Sequence, residues 1–122
     1  MMKILFVLGF LLLTGNAEAQ LKSITGSELV KWCKSEDNTN IALCSGYFMG
    51  FLEYNSMVQV SRAYEIHGGK GGVITKNCIP PNVRNWDVVE VFLAYMVFRP
   101  EENDNWAYYA IRHSIEAKWP CR

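Results

Sequence analysis

The chain has 122 residues with 12 acidic and 12 basic side chains, so its formal net charge is zero. No run of like charge breaks that balance, which removes the basic stripe that nucleic acid requires and the polybasic face that anionic lipid requires. Half of the residues are hydrophobic and 13% are aromatic, a composition that predicts a dense core with amphipathic side chains left over for contacts at the surface.

The N-terminus reads as a cleavable export signal. Lys3 supplies one positive charge, Ile4 to Leu13 form an unbroken apolar run, Thr14-Gly15-Asn16 break it, and Ala17-Glu18-Ala19 give the small-x-small pattern of a signal peptidase site. The apolar run is shorter than the roughly 20 residues that span a bilayer, and no cysteine follows the cleavage site to carry lipid. Cleavage after Ala19 starts the mature chain at Gln20 and leaves about 100 residues, enough for one domain that hides about 60–70% of its unfolded surface. No membrane association is expected after cleavage. The expected division is a signal peptide over 1–19 and one helical domain over 20–122.

The hydrophobic pattern after the signal is helical nearly throughout. Thr25 and Glu28 have the spacing of a capping box, which predicts a first helix over Ser27 to Lys34. A polar loop, Ser35 to Asn40, should end it. From Ile41 to about Tyr64, Cys44, Tyr47, Phe48, Phe51 and Val58 recur at three- and four-residue intervals, with Glu53, Asn55, Gln59 and Arg62 placed to face water. Within this long helix, Gly46 and Gly50 each cost about 1 kcal/mol relative to alanine. The expected compensation is close approach of a second helix, either within the chain or at a subunit contact, with the internal contact favoured because a monomer core needs it first.

His67-Gly68-Gly69-Lys70-Gly71-Gly72 cannot continue a helix and reads as a flexible loop. After Cys78-Ile79-Pro80-Pro81, a third helix should run from Asn82 or Asn85 through Phe98. Its apolar set, Val88, Val89, Val91, Phe92, Tyr95, Met96 and Phe98, is broad enough to predict the most buried element. Arg99-Pro100 stops it. Asn103 or Asp104 should cap a fourth helix over about Asn105 to Lys118. The fold class is therefore all-α, a compact four-helix domain.

Cys33, Cys44, Cys78 and Cys121 all lie downstream of the signal, so they meet an oxidising compartment and are expected to form two disulfides. Four cysteines allow three pairings. Helix geometry favours Cys33 with Cys44, at facing ends of consecutive helices, and Cys78 with Cys121, at the start and end of an antiparallel hairpin. In the chain-entropy picture the shorter loop contributes roughly 3 kcal/mol and the longer about 4.

The residues offer little for catalysis, and no cofactor or metal is expected. His67 and His113 belong to no metal-ligand spacing, and oxidised cysteines leave no thiol nucleophile. Cys44-Ser45-Gly46 lacks the preceding glycine of a nucleophile elbow. The glycine loop lacks the Gly-Lys-Ser/Thr ending and preceding strand of a phosphate loop. Glu101, Glu102 and Asp104 gather at a helix start, where carboxylates suit the macrodipole. A non-enzymatic binding protein is the reading these residues allow.

Cys44-Ser45-Gly46-Tyr47-Phe48-Met49-Gly50 in a helix, then Cys78-Ile79-Pro80, then an aliphatic helix ending at Pro100, then Trp119-Pro120-Cys121, resemble the Rap/Tai immunity proteins of bacterial type VI secretion systems. The resemblance extends from about Leu29 to Cys121. It implies an exported, all-helical, usually dimeric periplasmic protein of a Gram-negative bacterium that binds and blocks a peptidoglycan-cleaving amidase. It carries no catalytic residues across, only the cysteine and glycine positions.

Blocking a substrate groove needs a rigid scaffold and a protruding element of fitting shape and charge. Two elements qualify, the glycine loop with His67 and Lys70, and the acidic turn Glu101 to Asp104 with Trp106 and Tyr108 as neighbouring anchors. The turn is preferred, because a flexible glycine loop loses more entropy on ordering. The main rival from another class is a periplasmic acid-stress chaperone of the HdeA type, also a small disulfide-bonded helical dimer. It is disfavoured by the scarcity of carboxylates on the helical faces and of histidines. A third reading is an envelope inhibitor resembling lysozyme inhibitors, which differs in its target.

Overall fold

The computed structural model describes residues 22–66 and 77–121, apart from the side chains of 60–66. The export segment and the glycine loop, with His67 and Lys70, lie outside the described residues. The described residues form four α-helices, α1 (Gly26–Lys34), α2 (Asn38–Ile66), α3 (Asn85–Val97) and α4 (Ala107–Lys118). A single 3-10 turn, Pro100–Glu102, lies between α3 and α4. Both expected disulfides are present, with Cα–Cα distances of 5.1 Å for Cys33–Cys44 and 5.0 Å for Cys78–Cys121.

Local chemistry explains where the helices begin. The Thr25 hydroxyl accepts from the Glu28 N–H at 3.2 Å, and the Glu28 carboxylate accepts from the Thr25 N–H at 2.8 Å, the reciprocal capping box read from the sequence. These bonds lower the Glu28 carboxyl below its ordinary pKa. α2 starts three residues earlier than expected. Asp37 accepts from the N–H groups of Thr39 and Asn40 at 2.8 and 3.2 Å, so it caps the helix and turns half of the polar loop into its first turn. At α3, Asp87 accepts from the Arg84 N–H at 2.9 Å and pairs with its guanidinium, which holds the Asp87 carboxyl below its ordinary value. α4 starts at Ala107, without the Asn103 or Asp104 cap expected from sequence. The turn before it is committed to α1 instead.

The core forms where the inner faces of the four helices meet: Leu29 and Cys33 from α1, Cys44, Phe48 and Phe51 from α2, Val88, Val89, Phe92 and Met96 from α3, and Ala107, Ala110, Ile111 and Ile115 from α4. The Phe48 and Phe92 rings meet edge-on with centroids 5.5 Å apart, the arrangement the ring quadrupoles favour. At the far end, the Cys78 N–H donates to the Trp119 carbonyl at 2.7 Å, beside the second disulfide.

Two expectations about individual faces fail. Asn55 does not face water. It is buried, and its amide exchanges reciprocal hydrogen bonds with Asn77 at 3.1 and 3.0 Å, while Gln59 donates to the Asn77 carbonyl at 3.1 Å. These bonds satisfy polar groups that would otherwise be costly to bury. Phe98 leaves the buried set altogether, being 81% exposed at the end of α3. The chain turns out of the helix there, toward Arg99 and Pro100, and α3 keeps a wet side that includes Trp86, Glu90 and Val97.

Candidate functional site

The corner between α3 and α4, residues 97–106, is the most elaborately fastened connection among the described residues. Its backbone ties it to the start of α1: Gly26 N–H donates to the Asn105 carbonyl at 2.8 Å, Ser27 N–H to the Asn103 carbonyl at 3.1 Å, and Ala107 N–H to the Ile24 carbonyl at 2.9 Å. Carbonyls of the turn thus satisfy the first donors of α1, which have no partner within their own helix. The approach is close. A Cβ added at Gly26 would lie 2.6 Å from the Glu102 carbonyl oxygen and 2.8 Å from Cε of Met96, so only glycine fits at this point.

The acidic residues of the corner divide. Glu101 and Asp104 are exposed, and Glu101 makes a loose surface pair with Arg99 at 3.5 Å. Glu102 is turned inward and only 7% exposed. Its carboxylate accepts from Asn105 Nδ2 at 2.9 Å and the Tyr95 hydroxyl at 3.5 Å, and meets His113 Nδ1 at 2.6 Å. Burial pushes the Glu102 carboxyl upward, but the hydrogen bonds from Asn105 and His113, the His113 charge and the Tyr95 hydroxyl outweigh it and leave the group below its ordinary value. His113, expected from sequence to be a bland helix-face residue, is therefore the partly exposed half of a clamp on the buried Glu102 carboxylate.

Exposed apolar side chains flank the turn in the chain on both sides. Val97 is 68% and Phe98 81% exposed, and Trp106 is 55% exposed and stacks on Tyr109 with centroids 6.0 Å apart. Tyr109 packs edge-on to Tyr108, which contacts Tyr54 and Phe51 of α2. Sequence reasoning missed Phe98 as a surface residue. The signal was present: on an ideal helix Val88, Val89, Phe92 and Met96 share one face, and Phe98 falls well off it.

The second distinctive surface is the outer side of α2. Gly46 and Gly50 are exposed, and beyond their own helix backbone no atom of the described residues comes within 4 Å of a Cβ added at either. The close internal helix contact expected for them is thus not made by the described residues. They floor an open cavity of about 340 Å³ walled by Tyr47, Phe51, Tyr54 and Tyr108. Tyr108 thereby belongs more to this groove than to the acidic turn. Leu43 and Tyr54, both about half exposed, continue the same side of the helix.

Among the described residues no group of three potential metal ligands comes together, and no helix is long and apolar enough to cross a membrane. All four cysteines are oxidised, which fits folding in an exported compartment.

No curated protein and no solved structure matches the chain. The family of Rap1a immunity proteins matches it over residues 25–121, from the Thr25 cap to the second disulfide. That span includes all four helices, both disulfides and the fastened corner, and the chain belongs to the Rap1a immunity protein family.

Proposed function

We propose that this chain is a periplasmic immunity protein that binds a peptidoglycan-cleaving amidase delivered by type VI secretion and blocks its substrate groove, without chemistry of its own. The family match over residues 25–121 carries this reading. The geometry supports it in two ways. Two disulfides and the backbone ties of the corner give a rigid scaffold, so little ordering entropy opposes binding. The outward side of the corner then offers acidic groups, Glu101 and Asp104, beside Phe98 and Trp106, and aromatic anchors ringed by polar groups are where interface energy concentrates. His67 and Lys70 in the glycine loop are the second candidate element for the same contact.

The reading includes a homodimer. With none of the described residues over Gly46 and Gly50, the uncharged groove on α2 is the surface we assign to the second copy.

The test is to mix the mature, oxidised protein with peptidoglycan amidases, beginning with any encoded beside it, and to follow complex mass by light scattering together with muropeptide release. A stable complex that stops cleavage is expected. If no amidase is bound and the protein instead keeps an unrelated client from aggregating at low pH, the acid-stress chaperone replaces this reading.

A further inference from the structure

Glu101, Glu102 and Asp104 form one acidic cluster in the sequence, but the structure gives Glu102 a different environment from the other two. It is buried, and its two carboxylate oxygens are occupied by groups from three places: Asn105 within the turn, Tyr95 on α3 and His113 on α4. Its carbonyl oxygen also accepts from the Asn105 N–H at 3.2 Å and is the atom that excludes a side chain at position 26. A carboxylate so engaged has little capacity left for a partner, because each oxygen already holds a short bond. Together these bonds tie the turn to itself, to α3 and to α4.

We propose that Glu102 is the positioning residue of this corner: it holds the turn from beneath through Asn105, Tyr95 and His113, so that Phe98, Glu101, Asp104 and Trp106 reach the partner as one preformed face. The partner chemistry that fits this face is an apolar recess with basic groups at its rim. The inference rests on the proposed immunity role for the identity of the partner, but the clamp itself is a property of the free protein.

The other groups near the carboxylate are consistent with this role. The titratable groups that meet Glu102 are Tyr95 from α3 and His113 from α4, while Arg99 lies over the Tyr95 ring at 5.7 Å and pairs with Glu101. α1 meets the turn through the backbone of Gly26 and Ser27. Protonation of Glu102 removes an acceptor from Asn105 and the charge that His113 meets. The clamp is therefore held above the ordinary glutamate pKa, about 4.3, and released as pH falls through the lower folded value.

Hydrogen exchange on the mature oxidised protein tests the clamp without any partner. In Glu102→Ala and in His113→Ala, the amides of Asn103 and Asn105 are expected to exchange about tenfold faster or more, the scale of a lost hydrogen bond to a charged group. Core amides such as those of Phe92 and Ile111 should keep wild-type protection. His113→Asn, which retains an N–H donor at the Nδ1 position, should restore most of the turn's protection. The double variant Glu102→Ala/His113→Ala should exchange little faster than Glu102→Ala alone, because the histidine acts on the turn only through that carboxylate. Amidase inhibition should follow the same non-additive pattern.

Unchanged turn protection in both single variants would overturn the proposal. So would additive losses of inhibition, which would make Glu102 a direct contact. Since His113 is partly exposed, its variants keep the test valid if Glu102→Ala fails to fold. Should the wild type inhibit no amidase, the immunity reading fails, while the exchange data still decide the clamp.

Discussion

Three glycines sit in the described helices, and the structure uses them in opposite ways. Gly26 is buried beneath the α3–α4 corner, where the Glu102 carbonyl and the end of Met96 occupy the space a side chain would take. Gly46 and Gly50 lie on the outer side of α2, with none of the described residues packed above them. The corner is a surface completed from within: its backbone and its buried carboxylate are satisfied by the same chain. The α2 groove is left incomplete, since two helix-weakening residues face a cavity lined by aromatic rings. This difference separates the corner proposed to bind the enzyme from the face proposed to take a second copy.

The same substitution should therefore have opposite signs at the two places. Gly26→Ala forces a Cβ to within 2.6 Å of a backbone oxygen, and overpacking of this kind costs about 1–3 kcal/mol. This is the largest effect expected here, and it should lower the denaturant midpoint with little change in slope. A neutral or stabilising outcome would mean that the corner shifts freely, and the contrast with α2 would disappear.

Acid should sharpen the comparison next. Glu102 has a folded-state pKa below its ordinary value, so its contribution to stability is present above about pH 4.3 and lost as pH falls through the folded value. Glu28 and Asp87, held low by their helix-cap bonds, act with the same sign. Unfolding followed between pH 6 and pH 3 should show wild-type stability falling, with a shallower fall in Glu102→Gln. Equal slopes would show that the buried clamp does not couple to folding.

What the sequence made legible was local. The Thr25–Glu28 capping box, the number of helices and both disulfide pairings follow from spacing and from the way consecutive helices return on each other. The start of α2 was lost to the polar composition of Ser35 to Asn40, although Asp37 carried the cap. The rest is tertiary. Nothing near Asn55 announces that Asn77 will satisfy it in the core, and nothing near Glu102 announces His113, eleven residues away and on another helix. The failed cap of α4 has the same origin, because the carbonyls of Asn103 and Asn105 serve the N-terminus of α1. For Gly46 and Gly50, the internal helix contact expected from sequence is not made by the described part of the chain.

On α2 the smaller effects become informative. Gly50→Ala meets open space and should stabilise the folded monomer by up to about 1 kcal/mol through helix propensity. Gly50→Leu should likewise fold, since nothing within the described chain blocks it. If a second copy sits over the groove, both variants should weaken the dimer in light scattering across a dilution series, the leucine more than the alanine. A variant that gains thermal stability while losing its dimer would identify the face as a subunit contact. Retention of full dimer mass in Gly50→Leu would move the contact elsewhere.

Phe98→Ala is the smallest expected change in stability and the sharpest test of the corner as a binding element. At 81% exposure the ring contributes little to the fold, so unfolding should shift by no more than about 0.5 kcal/mol, as for an ordinary surface position. If the ring enters an apolar recess of the amidase, however, truncation should raise the inhibition constant by about tenfold to a hundredfold, the range set by anchors worth about 1–3 kcal/mol. Glu101→Ala, at a charged position outside the clamp, should act mainly by slowing association and by weakening its dependence on salt. Equal inhibition by wild type and Phe98→Ala would remove the corner from the interface and leave the glycine loop with His67 and Lys70 as the element that meets the enzyme.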